Sequence, residues 1–139
     1  MAITQLAVFI ENQKGCLSEV IRVLSENDIN LRAMSIADTT DFGILRIIVN
    51  DTEKAKNILS KDYIVKTTDV IAVKMDDKRG ALYNVLKVLE DAEINVEYSY
   101  AFTAGTQNNA YVVFRVDDVD SAEKLLKGKG FEFIKEEDI

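Results

Sequence analysis

The residues best suited to binding chemistry lie in a short segment that occurs twice, at positions 12–17 and 77–82. Each copy places a glycine, Gly15 or Gly80, between a strand-like apolar run and a helix-like one. Glycine adopts positive φ readily and lets a ligand approach the backbone closely. The first turn of a helix offers unpaired N–H groups and partial positive charge, which suit a carboxylate. We therefore predict that the glycine turn is the floor of a small-molecule site.

The elements around the first glycine follow from the spacing of apolar residues. Residues 5–11 are apolar on both faces, which is typical of a covered strand. A helix is predicted from apolar residues at helical spacing, namely Leu17, Val20, Ile21 and Leu24. A second helix begins near Asp51 or Thr52, either of which can cap it through a side-chain oxygen. Further strands are predicted over residues 29–38, 44–49 and 63–66.

The second half repeats this order, at an offset of 65 residues that becomes 67 past the middle of the repeat. Its predicted strands cover residues 70–75, 94–102, 110–116 and 131–134, and its predicted helices cover residues 81–92 and 120–127. Asp120 and Glu123 are expected to act as a capping pair. The two additional residues fall within 104–109, and an insertion confined to a loop indicates true structural repetition.

Each half therefore reads as strand-helix-strand-strand-helix-strand. Right-handed crossovers convert this order into an antiparallel four-stranded sheet with both helices on one face, which is the ferredoxin-like arrangement. The predicted fold class is α+β, with two such βαββαβ repeats as domains over residues 1–68 and 69–139. A domain of this size is marginally stable alone, so we expect the halves to pack on each other or on a second chain.

Composition excludes several classes of function. With 47% hydrophobic and 29% charged residues, the chain is typical of globular proteins. The net charge of −7 disfavours binding to a nucleic-acid backbone. The chain has no His and a single Cys, which argues against zinc binding, Ser-His catalysis and an intrachain disulfide. We expect neither a metal nor a cofactor.

Targeting signals are also missing from the sequence. No run of 18 apolar residues could span a membrane. The first residues do not combine a basic segment with an apolar one, as a signal peptide does. We therefore expect a cytoplasmic protein that does not insert into a membrane.

At this level of detail the chain resembles the ACT domain family of amino-acid-sensing regulatory modules. The resemblance runs through both halves as a tandem pair, carried by the strand-loop-Gly-helix opening and the closure Ile-Asn-hydrophobic. In serine-regulated members, an Asn three residues before the glycine and the Asn of the closure bind the effector. The corresponding positions here are Asn12 and Asn30 in the first half, and Asp77 and Asn95 in the second.

The resemblance also implies roles for the neighbouring residues. Backbone amides after the glycine contact the ligand in such proteins, which here means those of Cys16, Leu17, Ala81 and Leu82. The family often has Pro just before the glycine, where this chain has Lys14 and Arg79. These two cations could steer an anionic ligand, although solvated loop charges are the more ordinary interpretation.

The chemistry of the residues agrees with an amino-acid ligand. One Asn side chain can donate to a carboxylate and accept from an ammonium group. Asp77 would repel a carboxylate but could hold an ammonium, so the two sites need not bind alike. Local turn formation is the alternative explanation for the Gly and Asn residues. Cys16 at a helix start could be a reactive thiol, but Ala81 at the equivalent position favours a simple need for a small residue.

The two repeats also differ in their aromatic residues. Tyr98, Tyr100 and Phe102 form a ridge at a spacing of two residues, where the first half has small residues. The acidic surroundings do not suit a stacking platform for nucleic acid. Packing within the core or between the halves is the favoured interpretation.

Three functions remain open from the sequence. The first is a regulatory sensor in which a free amino acid bridges two ACT units, within a homodimer, and no catalytic domain is attached. The second is a ligand-free ACT scaffold for dimerisation or partner binding. The third is a small enzyme on the same fold, which we disfavour because acylphosphatase-type chemistry needs an Arg in the first-half loop, where Lys14 stands.

Overall fold

The computed structural model of the protein describes residues 2–102 and 109–139. The chain divides into two compact units, Thr4–Thr68 and a second unit that comprises Asp69–Ile139 together with Ile3. Each unit contains one copy of the predicted repeat. The predicted two-residue insertion at 104–109 lies almost wholly outside the described residues.

The first half of the chain alternates strands and helices as its apolar periodicity predicts. Its elements are β1 (Ile3–Glu11), α1 (Cys16–Glu26), β2 (Leu31–Asp38), β3 (Phe42–Val49), α2 (Thr52–Leu59) and the beginning of β4 (Ile64–Asp76). The second half continues with the rest of β4, α3 (Ala81–Asp91), β5 (Val96–Phe102), β6 (Asn109–Val116), α4 (Val119–Gly128) and β7 (Glu132–Phe133). A short 3-10 helix, Glu136–Asp138, follows β7.

The strand β4 corrects one prediction. The sequence indicated two separate strands, 63–66 and 70–75, but the chain runs as one extended segment from Ile64 to Asp76. The linking residues 67–69 are Thr-Thr-Asp, with neither Gly nor Pro to turn the backbone, and threonine is at ease in strands. The boundary between the two units therefore falls inside a strand.

The order of the strands is the same in both repeats. It is β2-β3-β1-β4 in the first and β5-β6-β4-β7 in the second. The registers given for β1 with β3 and for β4 with β6 are antiparallel. Both edge pairs, β2 with β3 and β5 with β6, show a register shift at equivalent places, between Leu31 and Ala33 and between Val96 and Tyr98. This is the ferredoxin-like arrangement predicted from the sequence.

One face of each sheet is covered by its two helices. In the first unit Leu6 and Val8 of β1 pack with Val20 and Leu24 of α1, and α2 adds Leu59. All five side chains are at most 2% exposed. Burial of a Leu or Val side chain stabilises a fold by roughly 1.5–3 kcal/mol relative to exposure. Burial on the helix-covered face therefore stabilises this unit substantially.

The second unit has an equivalent core. Ile71 and Val73 of β4 pack with Val85 and Leu89 of α3, and Phe114 of β6 joins them. All five are fully buried. Leu82, in the first turn of α3, is by contrast 43% exposed.

The start of α4 corrects a second prediction. The helix is capped by Asp118, whose carboxylate accepts a hydrogen bond from the Ser121 amide at 3.1 Å. The predicted capping pair, Asp120 and Glu123, lies inside the helix. Asp118 is the N-cap residue because its backbone is extended, with φ −131° and ψ 90°, which is the conformation that an N-cap residue needs. Asp51 caps α2 through the Lys54 amide, as predicted.

The aromatic ridge of β5 is half-buried. The residues of the ridge, Tyr98, Tyr100 and Phe102, pair with alternate residues of β6. They therefore lie on the face of the sheet opposite to that of the core residue Phe114. The Phe102 ring stacks on Tyr111, with 5.3 Å between the ring centres. The ridge therefore does not join the core under the helices, as the sequence allowed, and instead packs along its own face of the sheet. No helix in the described part of the chain is long and apolar enough to cross a membrane.

Candidate functional site

The glycine of each repeat has the backbone conformation that the sequence predicted. Gly15 has φ 88° and ψ −12°, and Gly80 has φ 86° and ψ −8°. Residues with a Cβ rarely adopt this left-handed region. A Cβ built on either glycine meets no atom within 4 Å. The glycine is therefore needed for its backbone angle, and open space lies beside it.

Helices α1 and α3 begin directly at these glycines. Within the described residues, neither helix start is capped by a side chain. The Cys16 amide donates to the Gln13 carbonyl at 3.2 Å, and the Ala81 amide donates to the Lys78 carbonyl at 3.3 Å. The first amide of each helix is thus already bonded within its own turn.

The other two helices begin differently. Asp51 accepts a hydrogen bond from the start of α2, and Asp118 does so at the start of α4. A carboxylate side chain therefore occupies the helix start in those two cases. The starts of α1 and α3 therefore share the absence of a side-chain cap, whereas those of α2 and α4 are each capped by an aspartate.

A cleft of about 620 Å³ opens beside Gly15 in the first unit. We call it the first cleft. Its residues come from the end of β1, the glycine turn, the start of α1, the turn before β4 and the first residue of β4: Phe9, Ile10, Glu11, Lys14, Gly15, Cys16, Glu19, Asp62, Tyr63 and Ile64. The volume lies within the range of about 300–1,000 Å³ that is usual for small-molecule sites.

A cleft of about 350 Å³ lies at the equivalent place in the second unit, and we call it the second cleft. Its walls come from the end of β4, the glycine turn, the start of α3 and the turn before β7: Lys74, Met75, Asp76, Lys78, Ala81, Asn84, Gly130, Phe131 and Glu132. The duplication has therefore produced two related clefts, each at the amino end of the first helix of its repeat.

The predicted residues of the first half separate into two groups. Lys14, Gly15 and Cys16 line the first cleft. Asn12 turns away toward the β2–β3 turn, where its side-chain amide donates to the Thr39 and Thr40 carbonyls at 3.2 and 3.4 Å.

Leu17 is half-buried, packs against the core and is not part of the cleft wall. Asn30 lies at the opposite end of α1, where it lines a smaller cavity of about 170 Å³. Its backbone N–H donates to the Asn50 side-chain oxygen at 2.9 Å, and its carbonyl accepts from the Asn50 amide. A helix of 11 residues is about 16 Å long. One amino-acid molecule is too short to contact both Asn30 and the glycine turn of the same repeat.

The predicted residues of the second half follow the same division. Ala81 lines the second cleft. Asp77, Arg79 and Gly80 are exposed around the turn, and Leu82 is exposed on the first turn of α3.

Asn95 lies at the far end of its helix, like Asn30 in the first repeat. Its backbone N–H donates to the Asp117 carboxylate at 3.2 Å, and its carbonyl accepts from the Asp117 amide. The same backbone pairing therefore anchors the closure of both repeats.

Several cleft residues were missed by the sequence reading. Asp62 and Tyr63 come from the turn before β4 and Ile64 is the first residue of β4, about 50 residues along the chain from the glycine turn. Phe9 and Glu19 were read only as strand and helix residues. The repeat itself was the signal that could have identified these residues, because the turn before the last strand occupies the equivalent place in both halves.

The first cleft has a defined electrostatic character. The Glu19 carboxylate accepts a hydrogen bond from the Arg22 side chain at 3.0 Å, and this pairing lowers the pKa of Glu19. Tyr63 is half-buried, and its pKa is raised first by burial and then by the nearby negative charges of Glu19 and Asp62. The phenol is therefore neutral at physiological pH and can act as a hydrogen-bond donor.

Among the described residues, no group of three or more acidic or Cys side chains is placed so that it could hold a metal ion. Cys16 is a free, half-buried thiol on the wall of the first cleft.

Comparisons with known proteins identify the fold. A family model described as an ACT domain pair matches residues 1–139. A crystal structure of a Bacteroides thetaiotaomicron protein has 39% sequence identity and a TM-score of 0.93, covering 99% of this chain and 95% of that one. No curated protein matches significantly.

More distant neighbours share the fold alone. The ligand-free regulatory subunit of aspartate kinase from Thermus thermophilus has 13% identity and a TM-score of 0.67, over 90% of this chain and 91% of that one. The corresponding subunit from Thermus flavus has 12% identity and a TM-score of 0.62, over 90% of both chains.

Proposed function

The chain belongs to the ACT domain pair family, and from that premise we propose that it is a regulatory sensor that binds a free amino acid beside the glycine turn. The observation that carries the proposal is the matched pair of clefts, each opening at a helix start without a side-chain cap. Such a start offers free N–H groups to the carboxylate of the ligand. The regulatory subunits of aspartate kinase that share the fold support the regulatory role as an analogy.

The first cleft is the stronger candidate of the two. It is the larger, and it combines the Lys14 ammonium with the apolar surfaces of Phe9 and Tyr63. A site of this kind holds the charged end of a ligand at fixed polar groups and its side chain against apolar walls. We accordingly assign the carboxylate to the α1 start and Lys14, and the amino-acid side chain to the wall formed by Tyr63.

A second copy of the chain is proposed to cover the cleft. Ile64, on its rim, is 67% exposed, which is unusual for a large apolar side chain in a binding site. The family resemblance implies that the effector lies where two ACT units meet. A homodimer whose stability depends on the ligand would turn binding into regulation, because the ligand favours the state that it contacts better.

A thermal-shift screen of the twenty amino acids tests the proposal. A specific ligand should raise the melting temperature in proportion to the logarithm of its concentration. Isothermal titration calorimetry of the hit then gives the affinity, and sedimentation with and without the hit gives the oligomeric state. A screen without any hit would contradict the sensor.

Matched variants identify the cleft that binds. Cys16→Leu narrows the first cleft, and Ala81→Leu narrows the second at the equivalent position. Binding in the first cleft predicts that only Cys16→Leu weakens the titration. Lys14→Ala should also weaken binding, whereas Arg79→Ala, which removes a cation from the equivalent turn but not from a cleft wall, should leave it unchanged.

The competing function is a ligand-free scaffold, which the exposed Ile64 also favours. It predicts a dimer whose melting temperature and dissociation constant are the same with and without every amino acid in the screen. Sedimentation at several protein concentrations distinguishes the two functions, because only the sensor couples assembly to a ligand.

A further inference from the structure

The two clefts differ in charge although they occupy the same place in the two repeats. The wall of the first cleft carries three carboxylates, Glu11, Glu19 and Asp62, and one ammonium, Lys14. Arg22 holds the Glu19 carboxylate in an ion pair. In the described part of the chain, Glu11 and Asp62 have no ion-pair partner. The first cleft therefore offers two uncompensated carboxylates against one ammonium.

A basic residue of β4, Lys66, does not change this balance. Lys66 follows the cleft wall along β4, and its ammonium lies 5.7 Å from the centre of the Phe9 ring. That position is a cation–π contact. Lys66 makes no described ion pair with either Glu11 or Asp62.

The second cleft is balanced. Its two carboxylates and two ammonium groups pair with each other: Lys74 with Glu132 at 3.2 Å, and Lys78 with Asp76 at 3.5 Å. Among the described residues, this wall therefore has no unpaired charge that a charged ligand side chain could neutralise.

Comparison of equivalent positions shows where the difference arises. Asn84 stands in the second repeat at the position of Glu19, and Lys129 at the position of Asp62. Both exchanges remove negative charge from the surroundings of the second cleft. The acidic character therefore belongs to the first repeat and is not a requirement of the fold.

Resting on the proposed function, we infer that the first cleft selects a free amino acid whose side chain carries a positive charge, such as lysine, ornithine or arginine. The α-carboxylate lies at the start of α1 with Lys14. Glu11 and Asp62 then face two ammonium-type groups, that of the α-carbon and that of the side chain. A neutral amino acid leaves one of these carboxylates without a partner, and an acidic one adds repulsion.

A set of three ligands tests the inference by calorimetry on the full chain. Lysine carries all three charged groups, norleucine has the same carbon chain without the side-chain ammonium, and cadaverine lacks the carboxylate. Lysine is expected to bind about three- to fivefold more tightly than norleucine, which is the upper part of the range for an exposed ion pair. Cadaverine should bind more weakly than lysine, and added salt should reduce the advantage of lysine over norleucine.

Charge-neutralising variants test the assignment to residues. Glu11→Gln and Asp62→Asn together are expected to abolish the preference for lysine over norleucine. Of the two single variants, the one that removes the partner of the side-chain ammonium should reduce this preference about two- to threefold, and the other should weaken the binding of both ligands alike. Asp120→Asn is the control, because it removes one negative charge from an exposed position in α4 outside both clefts.

The outcomes separate this inference from the function on which it rests. Binding of norleucine as tight as that of lysine, an equal affinity for cadaverine, or a preference that survives the double variant would overturn the cationic selectivity while leaving an amino-acid sensor. Failure of every amino acid to bind would overturn the sensor itself. Loss of the preference in the double variant but not in Asp120→Asn supports the inference.

Discussion

The side-chain amide of Asn12 donates to the carbonyl oxygen of Thr39 at 3.2 Å. It also lies 3.4 Å from the Thr40 carbonyl oxygen, so its donors point at the β2–β3 turn. The backbone makes the same connection, since the Asn12 N–H donates to the Asp41 carbonyl at 2.9 Å. Asn12 therefore ties the glycine turn to a turn 27 residues away, and only its side-chain oxygen is left to accept from a ligand.

Asn12→Asp is expected to lower the free energy of unfolding by about 0.5–1 kcal/mol, because a carboxylate cannot donate to the turn carbonyls. Chemical denaturation measures the change. Gln13→Glu is the matched control, since it introduces the same charge at the neighbouring exposed residue. Equal effects of the two variants would show that charge, and not the hydrogen bond, is responsible.

Gly15→Ala is expected to destabilise the protein by about 1–2 kcal/mol, because Ala is strained at φ 88° although it has room. Gly128→Ala should do the opposite. Gly128 ends α4 without positive φ, and alanine there favours the helix by up to about 1 kcal/mol. Chemical denaturation of both variants measures the two opposite changes in the free energy of unfolding. A neutral Gly15→Ala would mean that the turn relaxes to another conformation.

Acidification should weaken the start of α4. Hydrogen bonds from the Ser121 hydroxyl and amide hold the pKa of Asp118 below its ordinary value. A carboxyl whose pKa is lower in the folded state stabilises the fold above its unfolded pKa of about 3.9 and loses this contribution as pH falls through the folded pKa. The free energy of unfolding should therefore fall below about pH 4.

Asp118→Asn tests the origin of that fall. Asparagine is also a good N-cap residue but does not titrate in this range. The variant should show a shallower loss of stability in acid, and Ser121→Ala, which removes the hydroxyl donor, should show an intermediate one. Denaturation between about pH 2.5 and 6 measures the slopes. An unchanged slope in Asp118→Asn would assign the acid sensitivity to other carboxyls.

Glu93→Gly is expected to stabilise the protein. Glu93 follows α3 with φ 58°, a conformation that is costly for a residue with a side chain, while Gly130 serves after α4 with φ 88°. The substitution relieves about 1–2 kcal/mol of backbone strain in the folded state. Glycine also increases the conformational entropy of the unfolded chain, which opposes this effect, so we expect the free energy of unfolding to rise by about 0.5 kcal/mol. Glu90→Gly, inside α3, should instead lower stability by about 1 kcal/mol. A loss of stability in Glu93→Gly would mean that the Glu93 side chain makes a stabilising contact.

Much of the fold follows from local rules that the sequence displays twice. Gly15 and Gly80 mark the left-handed turns, apolar spacing marks the helices behind them, and Asp51 marks the start of α2. These features depend on neighbours within a few residues along the chain, so composition and spacing are sufficient to predict them. The repetition of one strand-helix order then restricts the topology, because such an order has few compact solutions.

The cleft walls were decided by tertiary structure. Asp62 and Tyr63 reach the glycine turn only because β4 lies beside β1, and Asn30 is kept away from it by the length of α1. The single strand β4 and the cap at Asp118 are different in kind, because local backbone conformation explains both and only their boundaries were misplaced. Local sequence sets the conformation of each segment, whereas the side chains that share a site are set by contacts between segments far apart in the chain, which spacing does not encode.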